Sequence, residues 1–335
     1  MSSLWPVSGD AEEILALLRE WDAADDPKPL VIETSGSTGT PKRVLLSRDA
    51  MRFSADATHE RLGGPGQWVL NLPPTYVAGV QVLYRTIRAG DAGRSYLSLV
   101  PTQLVRVLRS DQRVDEVRTF DAVLVGGGPL RPEVRADAER RGIRVVQTYG
   151  MSETCGGCVY DGVPLPGVEV RIDPGPDQER GEVLLRGPML FGGYEGDPER
   201  TAAAFRDGWL TTSDLGHWGE DGRLRIDGRA DDVIISGGVK VPAQVVARLL
   251  ADLSFVHAVE VVGVPDPEWG EVVVAVLATE LDELHAAHED ELTGLRASFP
   301  ESTWWPRHFV RVDELPLLPN GKPDRQAMRR LVLDA

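Results

Sequence analysis

Lysine is almost missing from this sequence. Only Lys28, Lys42, Lys240 and Lys322 occur among 36 basic residues, and the others are arginine. Where arginine is the default cation, a retained lysine marks a position suited to a compact point charge on a flexible stem. Cysteine is also scarce: two in 335 residues exclude a disulfide scaffold. Apolar runs are short, and a stretch such as 272–278 falls far below a bilayer span. The opening MSSLWPVSGDAEE has no basic region followed by an apolar one. No secretory leader is therefore expected, and a cytoplasmic location is the default. Positive charge is outweighed, leaving a formal net charge of −16. That disfavours nucleic acid and anionic membrane surfaces, which are bound through Lys and Arg, but it allows a local cluster of donors for a small anion.

What is present reads as an ordinary globular chain, 42% hydrophobic and 26% charged, with length for two domains. A short amphipathic helix is predicted over 12–21 and a strand over 30–33. Further strands are predicted at 68–72, 122–125 and 144–147, with helices at 102–108 and 132–141 between them. This alternation predicts an α/β domain with a substantially parallel sheet. Beyond Val168, short strands at 168–172, 182–186 and 224–226 are separated by Gly, Pro and Asp turns, which predicts an antiparallel β subdomain. A second unit then begins, with strands at 233–236, 258–264 and 272–279 and a helix at 243–253. Gly, Asp and Arg cluster at 227–232, and the domains are drawn there as 1–227 and 228–335.

The strongest local signal is TSGSTGTPK at 34–42. Glycines free the backbone to approach a polyphosphate, while hydroxyls, amide groups and one lysine supply donors. A flexible surface loop is the bland reading, but a strand leads in and Pro41-Lys42 closes the loop. A Walker-type loop needs Gly-Lys-Ser/Thr, and here Pro41 precedes Lys42 while Arg43 comes after it.

This loop resembles the phosphate-binding signature of the adenylate-forming superfamily of acyl-CoA synthetases, peptide-synthetase adenylation domains and luciferases. Four more elements occur in that family's order: QTYGMSET at 147–154, TSD at 212–214, GRADD at 228–232 running on to GGVKVP at 237–242, and PNGKPD at 319–324. The resemblance implies a large α/β N-terminal domain with a β subdomain and a small mobile α+β C-terminal domain. It implies ATP contacts from Thr34, Ser35, Gly36, Ser37, Thr38, Gly39 and Lys42, from Gly127 and Gly128, from Thr148, Tyr149 and Gly150, and from Asp214 and Arg229. Tyr149 would stack on adenine and Asp214 would bind the ribose hydroxyls. Ser152 would meet the α-phosphate, Glu153 would hold Mg²⁺, and Lys322 would catalyse adenylation. Asp231 would be the hinge, with Gly238 and Lys240 lining the coenzyme A channel. Ser213 and Gln244 depart from residues common in the family.

Within that superfamily, LPPTYVAGVQVL at 72–83, SLVPTQL at 98–104 and CGGCVYDGVPL at 155–165 resemble the compact 2-succinylbenzoate–CoA ligases. The implied reaction activates 2-succinylbenzoate with ATP and Mg²⁺ and passes the acyl group to coenzyme A in menaquinone biosynthesis. The acid has a second carboxylate that must be held, and a bidentate arginine suits a desolvated carboxylate. Arg85 is the candidate, with an ordinary surface arginine as the alternative. Tyr76, Ser98, Thr102, Gly126 and Met151 complete the expected pocket. The Cys155-x-x-Cys158 pair has neither a second cysteine pair nor a histidine pair at metal-ligand spacing, so a pocket wall is expected rather than zinc or redox use. Another aryl- or acyl-CoA ligase, a carrier-loading adenylation enzyme and a non-catalytic binding protein are the competing readings. Homodimers are common in the group, and the sequence carries no apolar surface pattern that sets the assembly.

Overall fold

The computed structural model describes residues 4–34, 42–174, 180–230, 232–279, 289–319 and 321–333. The phosphate-loop residues Ser35, Gly36, Ser37, Thr38 and Gly39, and the hinge candidate Asp231, lie outside the described residues. The chain divides into two compact units. One holds residues up to Arg171 with Leu184–Thr212 and Trp218–Leu224; the other holds Ile172–Val183, Ser213–His217 and Arg225–Ala335.

The first unit is organised by a six-stranded sheet. Gly66–Val69, Arg94–Leu99, Ala122–Val125 and Val145–Met151 run parallel, and Gly156–Tyr160 and Val163–Pro164 are added antiparallel. Ala122–Val125 is buried at every position, as expected of a parallel strand covered on both faces. Leu104 and Val107 of helix Pro101–Leu108, Val114 and Val117 of Asp111–Val117, and Ala138 of Pro132–Arg140 close over Leu97, Leu99, Val123 and Val125. Helix Val77–Ala89 packs on Gly66–Val69 and Gly156–Tyr160, and helix Arg48–Leu62 lies against both it and Gly156–Tyr160. A smaller sheet runs in the order Trp5–Pro6, Leu30–Thr34, Lys42–Leu46, Gly193–Tyr194. Its hairpin, Leu30–Thr34 against Lys42–Leu46, is antiparallel in the register Thr34↔Lys42, so the two ends of the phosphate-loop motif face one another.

The strand predicted at 68–72 ends at Val69. Asn71 lies beyond the strand and its carbonyl instead accepts from Gln103 Nε2 at 2.9 Å, ahead of Pro73 and Pro74. A third sheet runs Glu169–Pro174, Gly181–Arg186, Trp209–Trp218, Phe205–Arg206, with Leu224–Arg229 also paired to Trp209–Trp218.

In the second unit the sheet order is Val239–Pro242, Val233–Ser236, Gly270–Ala278, Ala258–Asp266, and His308–Val312 pairs parallel with Gly270–Ala278. Alternation along Gly270–Ala278 serves two cores. Val273, Ala275 and Leu277 join Val246 and Leu250 of helix Ala243–Leu250, whereas Val272, Val274 and Val276 join Met328 of helix Arg325–Leu333. A strand buried on both faces must be apolar throughout, which is why 272–278 reads as a continuous run.

Candidate active site

The TYGMSE segment is built as a tight reversal. Strand Val145–Met151 passes into a 3₁₀ turn, Ser152–Thr154, and returns as Gly156–Tyr160. Thr154 is buried; its hydroxyl accepts from the Met151 amide at 2.9 Å and donates to the Gly156 carbonyl at 2.7 Å. Cys155 sits at φ 52, in the left-handed region. Its carbonyl is held from behind by Gln81 Nε2 at 2.8 Å and by the Ser54 hydroxyl at 3.1 Å. The pairing slips between Tyr149 and Gly150, so that Tyr149 faces Val159 while Gly150 faces Gly157 and Cys158 is the extra residue. Such a bulge bends the strand and re-aims the residues beyond it. Gly150 is required here, because a Cβ would lie 2.0 Å from the Gly156 carbonyl oxygen. Gly126 is likewise pressed on the Thr148 hydroxyl, at 2.2 Å from where a Cβ would stand.

This reversal leaves Ser152 and Glu153 part-exposed at its tip. Glu153 Oε1 accepts from the Tyr194 hydroxyl at 2.8 Å, and its carbonyl accepts from the Phe191 amide at 2.9 Å. Burial first, then the Glu153 carboxylate, drives the Tyr194 phenol above its ordinary pKa, so the hydroxyl stays a donor. Tyr194 is set by pairing with Val44 and by the Thr201 hydroxyl, which accepts from its amide at 2.8 Å. Lys42 Nζ lies 5.4 Å from the centre of its ring, and the Arg200 guanidinium is also at 5.4 Å. Tyr194 therefore brings the end of the phosphate-loop motif and the Glu153 turn to one place. The second Glu153 oxygen has no partner among the described residues, and a carboxylate oxygen is a fitting donor for Mg²⁺. Tyr194 was not among the expected site residues. An apolar cleft of about 450 Å³ opens beside it, lined by Leu45, Pro198 and Phe205 among others. None of the motif residues lines that cleft, and the site is placed by its chemistry instead.

Arg85 is not a surface residue. It lies 4% exposed on helix Val77–Ala89, with its guanidinium 4.9 Å over the Trp68 ring and Nη2 at 3.4 Å from the Tyr160 hydroxyl. Nε is buried with no partner, and no carboxylate among the described residues is within ion-pair distance. Trp68 Nε1 in turn donates to His59 Nε2 at 3.2 Å. Burial, then the Arg85 charge, brings the His59 pKa down to about 4, so this imidazole is neutral at pH 7. Ser98 is buried on Arg94–Leu99, Thr102 is the second residue of helix Pro101–Leu108, and Tyr76 precedes helix Val77–Ala89. Gly127 adopts φ 79 in the turn after Ala122–Val125, and Gly128 approaches Pro101. Both cysteines are buried with thiols raised by that burial, Cys158 to about 12; they pack the interior behind the turn.

In the second unit Asp214 is buried on Trp209–Trp218, and Arg229 Nη1 stands 3.6 Å from its Oδ1. Gly237 and Gly238, at φ 58 and 82, make the turn between Val233–Ser236 and Val239–Pro242, and Lys240 is exposed on the return strand. Lys322 is exposed on a closed loop. Its carbonyl accepts from the Leu318 amide at 2.8 Å, and the Asp324 amide donates to the Pro316 carbonyl at 2.8 Å. Asp324 then caps the last helix, accepting from the Ala327 amide at 2.9 Å.

The chain belongs to the AMP-binding enzyme family: residues 19–195 match the AMP-binding enzyme model and 246–322 match the AMP-binding enzyme C-terminal domain. It is 38% identical, over 95% of its own length and 88% of the relative's, to a Mycobacterium tuberculosis protein named "probable 2-succinylbenzoate–CoA ligase". It is 32% identical to the 2-succinylbenzoate–CoA ligase of Bacillus pumilus, over 89% of this chain and 68% of that one. Among solved structures it is similar to o-succinylbenzoate CoA synthetase from Bacillus subtilis in complex with the acyl-adenylate intermediate, with a TM-score of 0.75 and 27% identity over 91% of this chain and 69% of that chain. It is also similar to the amide bond synthetase McbA from Marinactinospora thermotolerans, with a TM-score of 0.76 and 29% identity over 90% of this chain and 69% of that chain. The expected adenylate-forming architecture is thus the architecture found. Among the described residues no helix is long and apolar enough to cross a membrane.

Proposed function

We propose that this protein is a cytoplasmic 2-succinylbenzoate–CoA ligase of menaquinone biosynthesis. The observation that carries the choice of acid is Arg85, a buried guanidinium with an unpartnered Nε and, among the described residues, no carboxylate within ion-pair distance. A buried cation left in that state is costly, and the second carboxylate of 2-succinylbenzoate supplies the missing anion. The names of the relatives support the same acid.

In the first half-reaction the succinyl carboxylate attacks the α-phosphorus of ATP, one P–O bond forms, and the bond to diphosphate breaks. Two anions meet, so catalysis is mainly positioning and preorganised positive charge. Lys322 supplies that charge at the reacting centre, and Lys42 and the loop before it hold the outer phosphates. Mg²⁺ at Glu153 would neutralise charge on the triphosphate. Thr148, Tyr149 and Gly150 would receive the nucleotide, and Asp214 beside Arg229 its ribose. In the second half-reaction the coenzyme A thiol attacks the acyl carbonyl and AMP leaves, with Gly238 and Lys240 on the channel and Asp231 as the pivot.

Incubation with ATP, Mg²⁺, coenzyme A and 2-succinylbenzoate, beside a panel of aryl and acyl acids, tests the proposal. Selective release of AMP with the 2-succinylbenzoyl thioester is expected by mass spectrometry, and selective turnover of another acid would overturn the choice. Lys322→Ala is expected to lose ~10²-fold or more in adenylate formation while making thioester from supplied acyl-adenylate at a better-preserved rate.

A further inference from the structure

We propose that Arg325 is a positioning residue for Lys322, fastening the lysine loop to the segment that begins at Asp232; this rests on the reading of Lys322 as the adenylation lysine.

Arg325 opens the last helix, three positions beyond Lys322, and is turned away from it into the unit. Nη1 pairs with Asp232 Oδ1, and Nε pairs with Glu260 Oε2 at 3.2 Å. Asp232 is fixed on every side. Its Oδ2 accepts from Gln244 Nε2 at 3.3 Å, its carbonyl accepts from the Ala243 amide at 3.2 Å, and its amide donates to the Arg229 carbonyl at 3.3 Å. Glu260 sits on strand Ala258–Asp266, and burial lifts its carboxyl above the ordinary range despite the Arg325 charge. One guanidinium thus spans two carboxylates on two different elements through separate nitrogens, Nη1 and Nε, a reach that its planar fork has and a compact ammonium lacks.

The opposite end of the same short stretch is the lysine loop. It is closed on itself by the Leu318–Lys322 and Asp324–Pro316 hydrogen bonds; Leu315 ahead of it packs on one core of the unit, and beyond it, among the described residues, the next side chain in either core is that of Met328. Arg325 is therefore the first side chain after Lys322 that ties the loop to the sheet. It does so through the residue directly after the hinge position. Any displacement of the segment after the hinge is transmitted to Lys322 as to one piece, and misplacing a charge by about 1 Å at a phosphoryl centre is enough to cost ~10²-fold.

The test uses the full chain and both half-reactions. Arg325→Lys keeps the charge and loses the span. It is expected to slow acyl-adenylate formation by ~10-fold or more while thioester formation from supplied acyl-adenylate changes less than about threefold. Asp232→Asn, nearly isosteric, is expected to show the same split, so the inference does not depend on one variant folding. Hydrogen exchange at the Leu318, Gly321 and Asp324 amides is expected to quicken in both variants while that of strand Gly270–Ala278 does not. Equal loss in both half-reactions, or no loss in either, overturns the inference. Lys322→Ala run alongside separates the two claims. If it leaves adenylation intact, the role of Lys322 falls; if it abolishes adenylation and the Arg325 and Asp232 variants show no split, only the positioning role falls.

Discussion

Replacing Arg85 by methionine should make the protein more stable and a worse enzyme for its acid. The guanidinium is almost wholly buried, stacked at 4.9 Å on Trp68 and 3.4 Å from the Tyr160 hydroxyl. Losing the stacked cation costs ~1–2 kcal/mol, and the long hydrogen bond contributes at most ~1 kcal/mol. Against these stands the desolvation of an unpaired charge, on the order of several kcal/mol. Methionine refills most of the stem volume and adapts to irregular walls. The net expectation is a gain of ~1–3 kcal/mol, read as a higher urea midpoint with an unchanged slope. Binding should move the other way. A desolvated carboxylate deprived of its cation loses ~2–4 kcal/mol, or ~30- to ~1000-fold in kcat/KM for 2-succinylbenzoate, with the KM for ATP unmoved. The analogue lacking the ring carboxylate should be almost indifferent to the change. A lower urea midpoint together with an unchanged KM for the acid would refute the reasoning, since Arg85 would then be a structural cation.

Tyr194→Phe keeps the ring beside Lys42 and Arg200 and removes only the donor to Glu153. Adenylate formation should fall ~10-fold or more, the weight of one hydrogen bond to a charged group, with the thermal midpoint nearly unchanged; unaltered adenylation would take Tyr194 out of the site. His59 has its pKa depressed from 6.5 to about 4, so the fold prefers the neutral ring. Its contribution to stability is present above pH 6.5 and is lost as pH falls through about 4. Urea midpoints from pH 7 to 4 should therefore fall less steeply in His59→Phe than in the parent, and parallel profiles would exclude the assignment.

The legible parts of this fold are those whose cause is local. Helix Ala11–Ala23 announces itself because Asp10 and Glu13 form a capping box ahead of Ile14, Leu18 and Trp21. Strand Ala122–Val125 is plain because it is buried on both faces. Helix Arg48–Leu62 is obscure because its buried face includes Ser54, Thr58 and His59, which blurs the apolar period. Helix Val77–Ala89 hides in a segment rich in valine. The motif residues could be named from their order, yet Tyr194 could not. Its place beside Glu153 and Lys42 comes from pairing with Val44 in a distant strand, and no neighbour of Tyr194 in the sequence carries that information. Gln81 stood inside a recognised segment, but its task of holding the Cys155 carbonyl belongs to the packing of two elements.

That left-handed turn at Cys155 has a consequence in time. A residue with a side chain at φ 52 does not hold such a conformation by local preference, and its supports, Gln81 and Ser54, lie 74 and 101 residues away. Contacts of that separation need long loops to close before they stabilise anything. The shape of the turn carrying Ser152 and Glu153 therefore depends on the docking of both helices. Synthesis runs in the favourable direction, because the ribosome releases both braces before the turn they hold.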